Sequence, residues 1–204
     1  STFSKYSRVR SHSGMTGKEA AEALLHREGI YDVRVEYVAG NLTDHYDPRS
    51  KVLRLSDATY QQTSVAAIGV AAHECGHAIQ HARGYAPLSI RSALVPVANF
   101  GSSIAWPLII IGLIMNSQTS QLFLNLGVIA FSMAVLFQIV TLPVELNASR
   151  RALKILGNTG MLYPDEVRET RKVLTAAALT YIAGAASAIL QLLRLIMISN
   201  SRRD

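Results

Sequence analysis

The sequence predicts a mainly α protein, a membrane helical bundle that carries a small α+β portion. Three observations lead there. Half of the 204 residues are hydrophobic and only 17% are charged, whereas a soluble globular chain carries about a quarter. No Asp, Glu, Lys or Arg occurs from Ser92 to Val144. Ahead of that tract, a short stretch alternates polar and apolar residues in the manner of half-buried strands.

The elements follow in order. Residues 1–15 are largely polar and basic. A helical pattern then runs from about Met15 to Arg27, with Thr16 and Glu19 spaced as a capping box and Gly29 ending it. Asp32 to Val38 alternates as a strand, and Lys51 to Leu55 reads as a second short strand. The segment between them, Gly40 to Pro48, reads as turns. Ser64 to Ala82 is rich in Ala and free of Pro, which favours a helix.

Two apolar runs occupy the uncharged tract, about Leu94–Met115 and Leu122–Val144, separated by Asn116 to Gln121. Each is long enough to cross about 30 Å of hydrocarbon, which takes roughly 20 helical residues. Pro96, Pro107 and Pro143 are expected to bend or end these helices. A third uncharged run, Val173–Leu193, carries Gly184, Ala185, Ala186 and Ala188, small residues that let membrane helices pack closely. Three buried helices of a soluble bundle would need polar faces that these runs mostly lack. The patterns divide the chain into a membrane-proximal portion (1–91), a two-helix membrane hairpin (92–144), a charged segment (145–172) and a third membrane helix with its tail (173–204).

The formal charge is +6. The basic residues form no long tract interleaved with aromatics, and many flank the apolar runs. A lipid bilayer, and not nucleic acid, is the expected partner. Arg83, Arg91, Arg150, Arg151, Lys154, Arg168, Arg171 and Lys172 fall on one side of the hairpin, and Arg194, Arg202 and Arg203 on the other. Eight against three places the first side in the cytoplasm. Cys75 is the single cysteine, so an intramolecular disulfide is excluded. The chain opens at Ser1 without an initiator Met, which leaves room for a preceding anchor or signal segment.

The residues that carry chemistry lie on the Ala-rich helix. His73-Glu74-x-x-His77 places two imidazoles four positions apart, offset by about 40° and one turn along a helix. Both reach one zinc ion, and Glu74 beside the first is placed as general base for a zinc-activated water. A catalytic zinc needs a third protein ligand. Glu145 is the candidate, because it is the first charge after the uncharged tract and the membrane hairpin returns it to the side it left. Its bland alternative is a boundary Glu paired with Arg150 or Arg151.

Other residues are weaker candidates. Asn147 or Ser149 could hydrogen-bond a ligating imidazole. Arg150, Arg151 or Tyr85 could stabilise an oxyanion. His81, a turn beyond His77, reads as either a support for the site or a solvent-facing helix end. His45 lies in a turn-like segment that could border a cleft, and His12 and His26 read as surface residues. Cys75 points off the metal-facing side and reads as packed, not nucleophilic. Lys51–Leu55 is a candidate unpaired strand edge for an extended peptide, against a purely structural strand.

Leu42-Thr-Asp-His-Tyr-Asp-Pro-Arg, Val70 to Gln80, and Leu142-Pro-Val-Glu-Leu-Asn-Ala-Ser-Arg-Arg-Ala resemble the YugP-like membrane zinc peptidases over nearly the whole chain. The resemblance implies a multi-pass bacterial cell-membrane protein with a zincin-like catalytic portion. It implies His73, His77 and Glu145 as zinc ligands and Glu74 as base. It also implies a further N-terminal membrane helix, and Asn147 departs from an Asp common in that family. Site-2 intramembrane proteases also pair His-Glu-x-x-His with apolar sequence, but their Asp-Gly ligand setting is missing here. The expected function is a zinc-dependent endopeptidase acting on membrane-associated or juxtamembrane protein substrates. The alternative is a zinc-binding membrane chaperone or assembly scaffold without turnover. A homo-oligomer or an accessory membrane partner fits either reading.

Overall fold

The computed structural model describes residues 1–202; Arg203, counted above in the basic tail, and Asp204 lie outside the described residues. In chain order the elements are α1 (Thr2–Tyr6), α2 (Gly17–Arg27), β1 (Arg34–Tyr37), β2 (His45–Asp47), β3 (Val52–Leu55), α3 (Val65–Ala82), α4 (Ala86–Ile114), α5 (Ser120–Thr159) and α6 (Pro164–Ser201). The fold is mainly α with a small mixed sheet, as the sequence predicts. The chain forms two compact units: Ser1–Leu88 with Val144–Leu179, and Ser89–Pro143 with Thr180–Asp204.

In the first unit, α2 starts at the expected capping box. Thr16 accepts from the Glu19 backbone N–H, and the Glu19 carboxylate accepts from that of Thr16. The helix stops where Gly29 takes φ +75, a left-handed conformation that costs glycine nothing. The sheet has the order β1-β3-β2, with β1 parallel and β2 antiparallel to β3. β3 is therefore the central strand, paired on both sides. This corrects the expectation that Lys51–Leu55 offers a free edge. β2 is an outer strand, in a segment that the sequence assigns to turns. Its three residues are too few to show alternation, and turn-forming residues surround them. Asp47 makes the turn that follows, accepting from the Arg49 N–H at 2.9 Å and the Ser50 hydroxyl at 2.6 Å.

α3 is the centre of this unit. The Ser64 side chain caps it, accepting from the Ala67 N–H at 3.1 Å. Its small residues allow neighbours to approach all round, and even Gln80 and His77 on it are buried. One hydrophobic cluster joins Leu24 and Leu25 of α2, Leu53 and Leu55 of β3, Ile68 and Ile79 of α3, Leu156 of α5 and Leu174 of α6. α5 does not end at the membrane boundary but continues through the charged segment to Thr159, so Glu145 to Arg151 are helical. α6 opens on Pro164, the position where a missing N–H costs nothing. The Glu166 carboxylate accepts from the Tyr163 and His12 backbone N–H groups, each at 2.8 Å.

In the second unit, α4 and α5 pack through glycines. A Cβ on Gly101 would lie 2.5 Å from the Ala130 carbonyl oxygen, and one on Gly127 would lie 2.5 Å from the Ile109 side chain. Ile109, Leu124 and Leu195 form the small core where α6 joins them. Outward-facing Ile110, Ile114, Ile129, Leu136, Leu190 and Met197 are exposed. α4, α5 and α6 are each long and apolar enough to cross a membrane. Exposed apolar side chains on such helices are what hydrocarbon requires.

Candidate metal centre

Local helix geometry and one close contact build the site. On α3, His73 and His77 project from successive turns toward α5. Their rings meet edge to face, with centroids 4.9 Å apart and planes at 88°. Gly76 lies between them in sequence. A Cβ there would sit 2.6 Å from the Ala148 carbonyl oxygen of α5, so only glycine permits this approach. It brings Glu145 against both imidazoles: Oε2 is 3.0 Å from His73 Nε2, and Oε1 is 3.4 Å from His77 Nε2. His77 and Glu145 are buried and His73 nearly so.

The other ring nitrogens are occupied elsewhere. His73 Nδ1 is 2.9 Å from Ser149 Oγ, and His77 Nδ1 is 2.9 Å from Gln80 Oε1. Both Nε2 atoms are thereby turned toward the carboxylate. One donor atom from each of His73, His77 and Glu145 lies within 4.8 Å of the other two. Two donors on one tetrahedral zinc at about 2.0–2.1 Å stand about 3.3–3.4 Å apart, close to the 3.0 and 3.4 Å seen here. Two imidazole nitrogens closing on a buried carboxylate make a place that favours a positive charge among them. The donor set of two imidazoles and one carboxylate suits zinc and leaves a coordination position open. Glu74 is also buried, offset from His73 by about 100° and from His77 by about 60° around the helix.

The remaining candidates divide. Ser149 touches the His73 imidazole, as its position suggested. Asn147 does not bond an imidazole directly; it accepts from Gln80 Nε2 at 3.0 Å and Arg151 Nε at 2.7 Å. Gln80 was missed. Its spacing from His77 placed it on the same helix face, three residues on, and that was the available signal. Arg151 lies over the Tyr85 ring, 5.8 Å from its centroid, and Arg150 is exposed. His45 lies exposed on β2, with Nδ1 bonded to the Thr43 carbonyl. His81 is half-buried, with its Nδ1 2.8 Å from the Tyr46 hydroxyl. Burial pushes the Tyr46 phenol up to about 12. Both residues line a separate 330 Å³ cavity with Asp32 and Lys51.

Cys75 is fully buried against α2, its thiol 3.6 Å from the Ala21 carbonyl oxygen. Burial pushes this thiol well above the ordinary range, so little thiolate forms near neutral pH. The folded protein is expected to resist alkylation by iodoacetamide at pH 8 and to react stoichiometrically once unfolded. Rapid labelling of the folded state, read by intact mass, would contradict this packing.

A buried His–His–Glu donor set that includes a His-Glu-x-x-His helix, in a chain with three helices long and apolar enough to cross a membrane, defines a membrane zinc metallopeptidase. The family described as "Putative neutral zinc metallopeptidase" matches residues 1–200. The chain belongs to this neutral zinc metallopeptidase family. It is 48% identical over 204 residues to "Putative membrane protease YugP" of Bacillus subtilis (strain 168), an alignment covering all of this chain and 89% of that protein. No solved structure matches the chain.

Proposed function

We propose that His73, His77 and Glu145 hold a catalytic zinc, and that Glu74 is the general base of an endopeptidase acting on membrane-associated or juxtamembrane segments. The observation that carries this reading is the convergence of both Nε2 atoms on the Glu145 carboxylate, with both Nδ1 atoms engaged elsewhere. When bound, the ion supplies Lewis-acid chemistry, making a water acidic near neutral pH and drawing electron density from a carbonyl. The Glu74 carboxylate takes the proton from the attacking water and gives it to the departing nitrogen. Ser149 and Gln80 hold the two rings in place during this exchange.

The relative in Bacillus subtilis is named a membrane protease, which supports a substrate at the bilayer. The eight basic residues flanking the hairpin on one side, against three on the other, favour a cytoplasmic active site. The test is zinc content and peptide cleavage by the detergent-solubilised protein and a Glu145→Gln variant. Glutamine keeps the shape but loses the charge of the third ligand. Zinc affinity is expected to fall by more than the about 100-fold that outer partners of a metal cost, and cleavage is expected to vanish with it. Undiminished zinc binding and cleavage in the variant would remove Glu145 from the site.

A further inference from the structure

We infer that Arg151, Asn147 and Gln80 form a hydrogen-bond relay, with donors converging on the Asn147 carbonyl oxygen, that fixes the tautomer and aim of His77. They are positioning residues, and the inference rests on His77 being a metal ligand as proposed above. The direction follows from which groups can only donate or only accept. Arg151 has donors and no acceptor. Its Nε is 2.7 Å from the Asn147 side chain, so Asn147 must present its carbonyl oxygen there. That same oxygen faces Gln80 at 3.0 Å, so Gln80 must present its NH₂. The Val144 backbone carbonyl, 2.9 Å from the same Gln80 nitrogen, accepts only, and the two acceptors together set the orientation.

Gln80 Oε1 is then the atom left for His77 Nδ1, at 2.9 Å. An amide oxygen cannot donate, so Nδ1 carries a proton, and in the neutral ring Nε2 keeps its lone pair toward Glu145. Reversing Gln80 would set NH₂ against His77 and bring its oxygen against two acceptors. Gln80 is 0% exposed, so no solvent relieves such a clash. His73 is held differently. Its Nδ1 partner is the Ser149 hydroxyl, which can donate or accept and imposes no direction. The relay therefore makes His77 the ligand whose orientation is set before the metal arrives.

Zinc affinity of the full chain in detergent, measured by chelator competition, tests this with paired variants. Asn147→Leu removes the acceptor and is expected to weaken zinc binding about 10–100-fold, the usual cost of losing an outer partner. Asn147→Asp keeps an oxygen for both Arg151 and Gln80 and is expected to stay within about threefold of wild type. Should the leucine variant fail to fold, Arg151→Met at a half-buried position frees the Asn147 amide to reverse and should weaken binding by at least about threefold. Wild-type affinity in Asn147→Leu or, where that does not fold, in Arg151→Met overturns the relay. Equal losses in the Asp and Leu variants also overturn it, because shape and not acceptor chemistry would then be at work. If His77→Ala also binds zinc like wild type, the ligand assignment itself has failed, and the two failures are distinguishable.

Discussion

Glu74→Gln is expected to lower kcat by about 10²–10⁴-fold, the usual contribution of a general base, while zinc content stays at the wild-type level. Glutamine matches glutamate in shape, so the buried position beside His73 is filled as before. It cannot take a proton from water. The His73, His77 and Glu145 atoms that face one another are untouched by the change. The loss should fall on kcat and not on KM, since the interaction removed is made only as the proton moves. Single-turnover cleavage of a peptide, with bound zinc quantified in the same preparation, separates the two quantities. A variant with kcat within tenfold of wild type would take the base away from Glu74. A variant that also loses zinc would leave the role undecided between chemistry and metal binding, and Glu74→Asp would then be compared for partial retention of both.

The parts of the fold that were legible in the sequence depend on long patterns. The uncharged tract from Ser92 to Val144 marks α4 and α5, because hydrocarbon excludes charge over many consecutive positions. The Thr16–Glu19 box marks the start of α2, because a capping residue must sit at a fixed offset. The His-Glu-x-x-His spacing pairs two imidazoles through helix geometry alone, and the first charge after the tract picks out the carboxylate that meets them. Features that depend on a partner distant in sequence were hidden. β2 is a strand because β3 pairs with it, and its Asp and Pro neighbours read as a turn. β3 looked like an edge because nothing in Lys51–Leu55 reveals how many neighbours it has. Gln80 looks like any polar helix residue until Val144 and Asn147 are placed beside it. The end of α5 was also hidden, since charge returns at Glu145, Arg150 and Arg151 and only the packing of this segment on α3 shows that the helix continues.

That packing leads to the second large effect, at Gly76. Gly76→Ala is expected to destabilise the protein by about 1–3 kcal/mol, the usual cost of an overpacked contact, and to weaken zinc binding by about tenfold or more, since metal donors tolerate displacements of only about 0.2 Å. The new methyl carbon would lie 2.6 Å from the Ala148 carbonyl oxygen and 3.1 Å from its carbonyl and α carbons. These are backbone atoms of a continuous helix, so no side chain can rotate out of the way. α3 and α5 must separate, and α5 carries both Glu145 and Ser149, the two partners of His73. Intrinsic helix propensity works in the opposite direction, since alanine is favoured over glycine by about 1 kcal/mol. Gly157→Ala supplies the control: it is also helical on α5, and its Cβ would meet nothing within 4 Å. There the propensity term acts alone, and the protein should become slightly more stable with unchanged zinc affinity. Melting temperature and zinc affinity measured on both variants decide the matter. If both alanines stabilise and both leave zinc binding unchanged, close approach at Gly76 is not what brings Glu145 to the histidines.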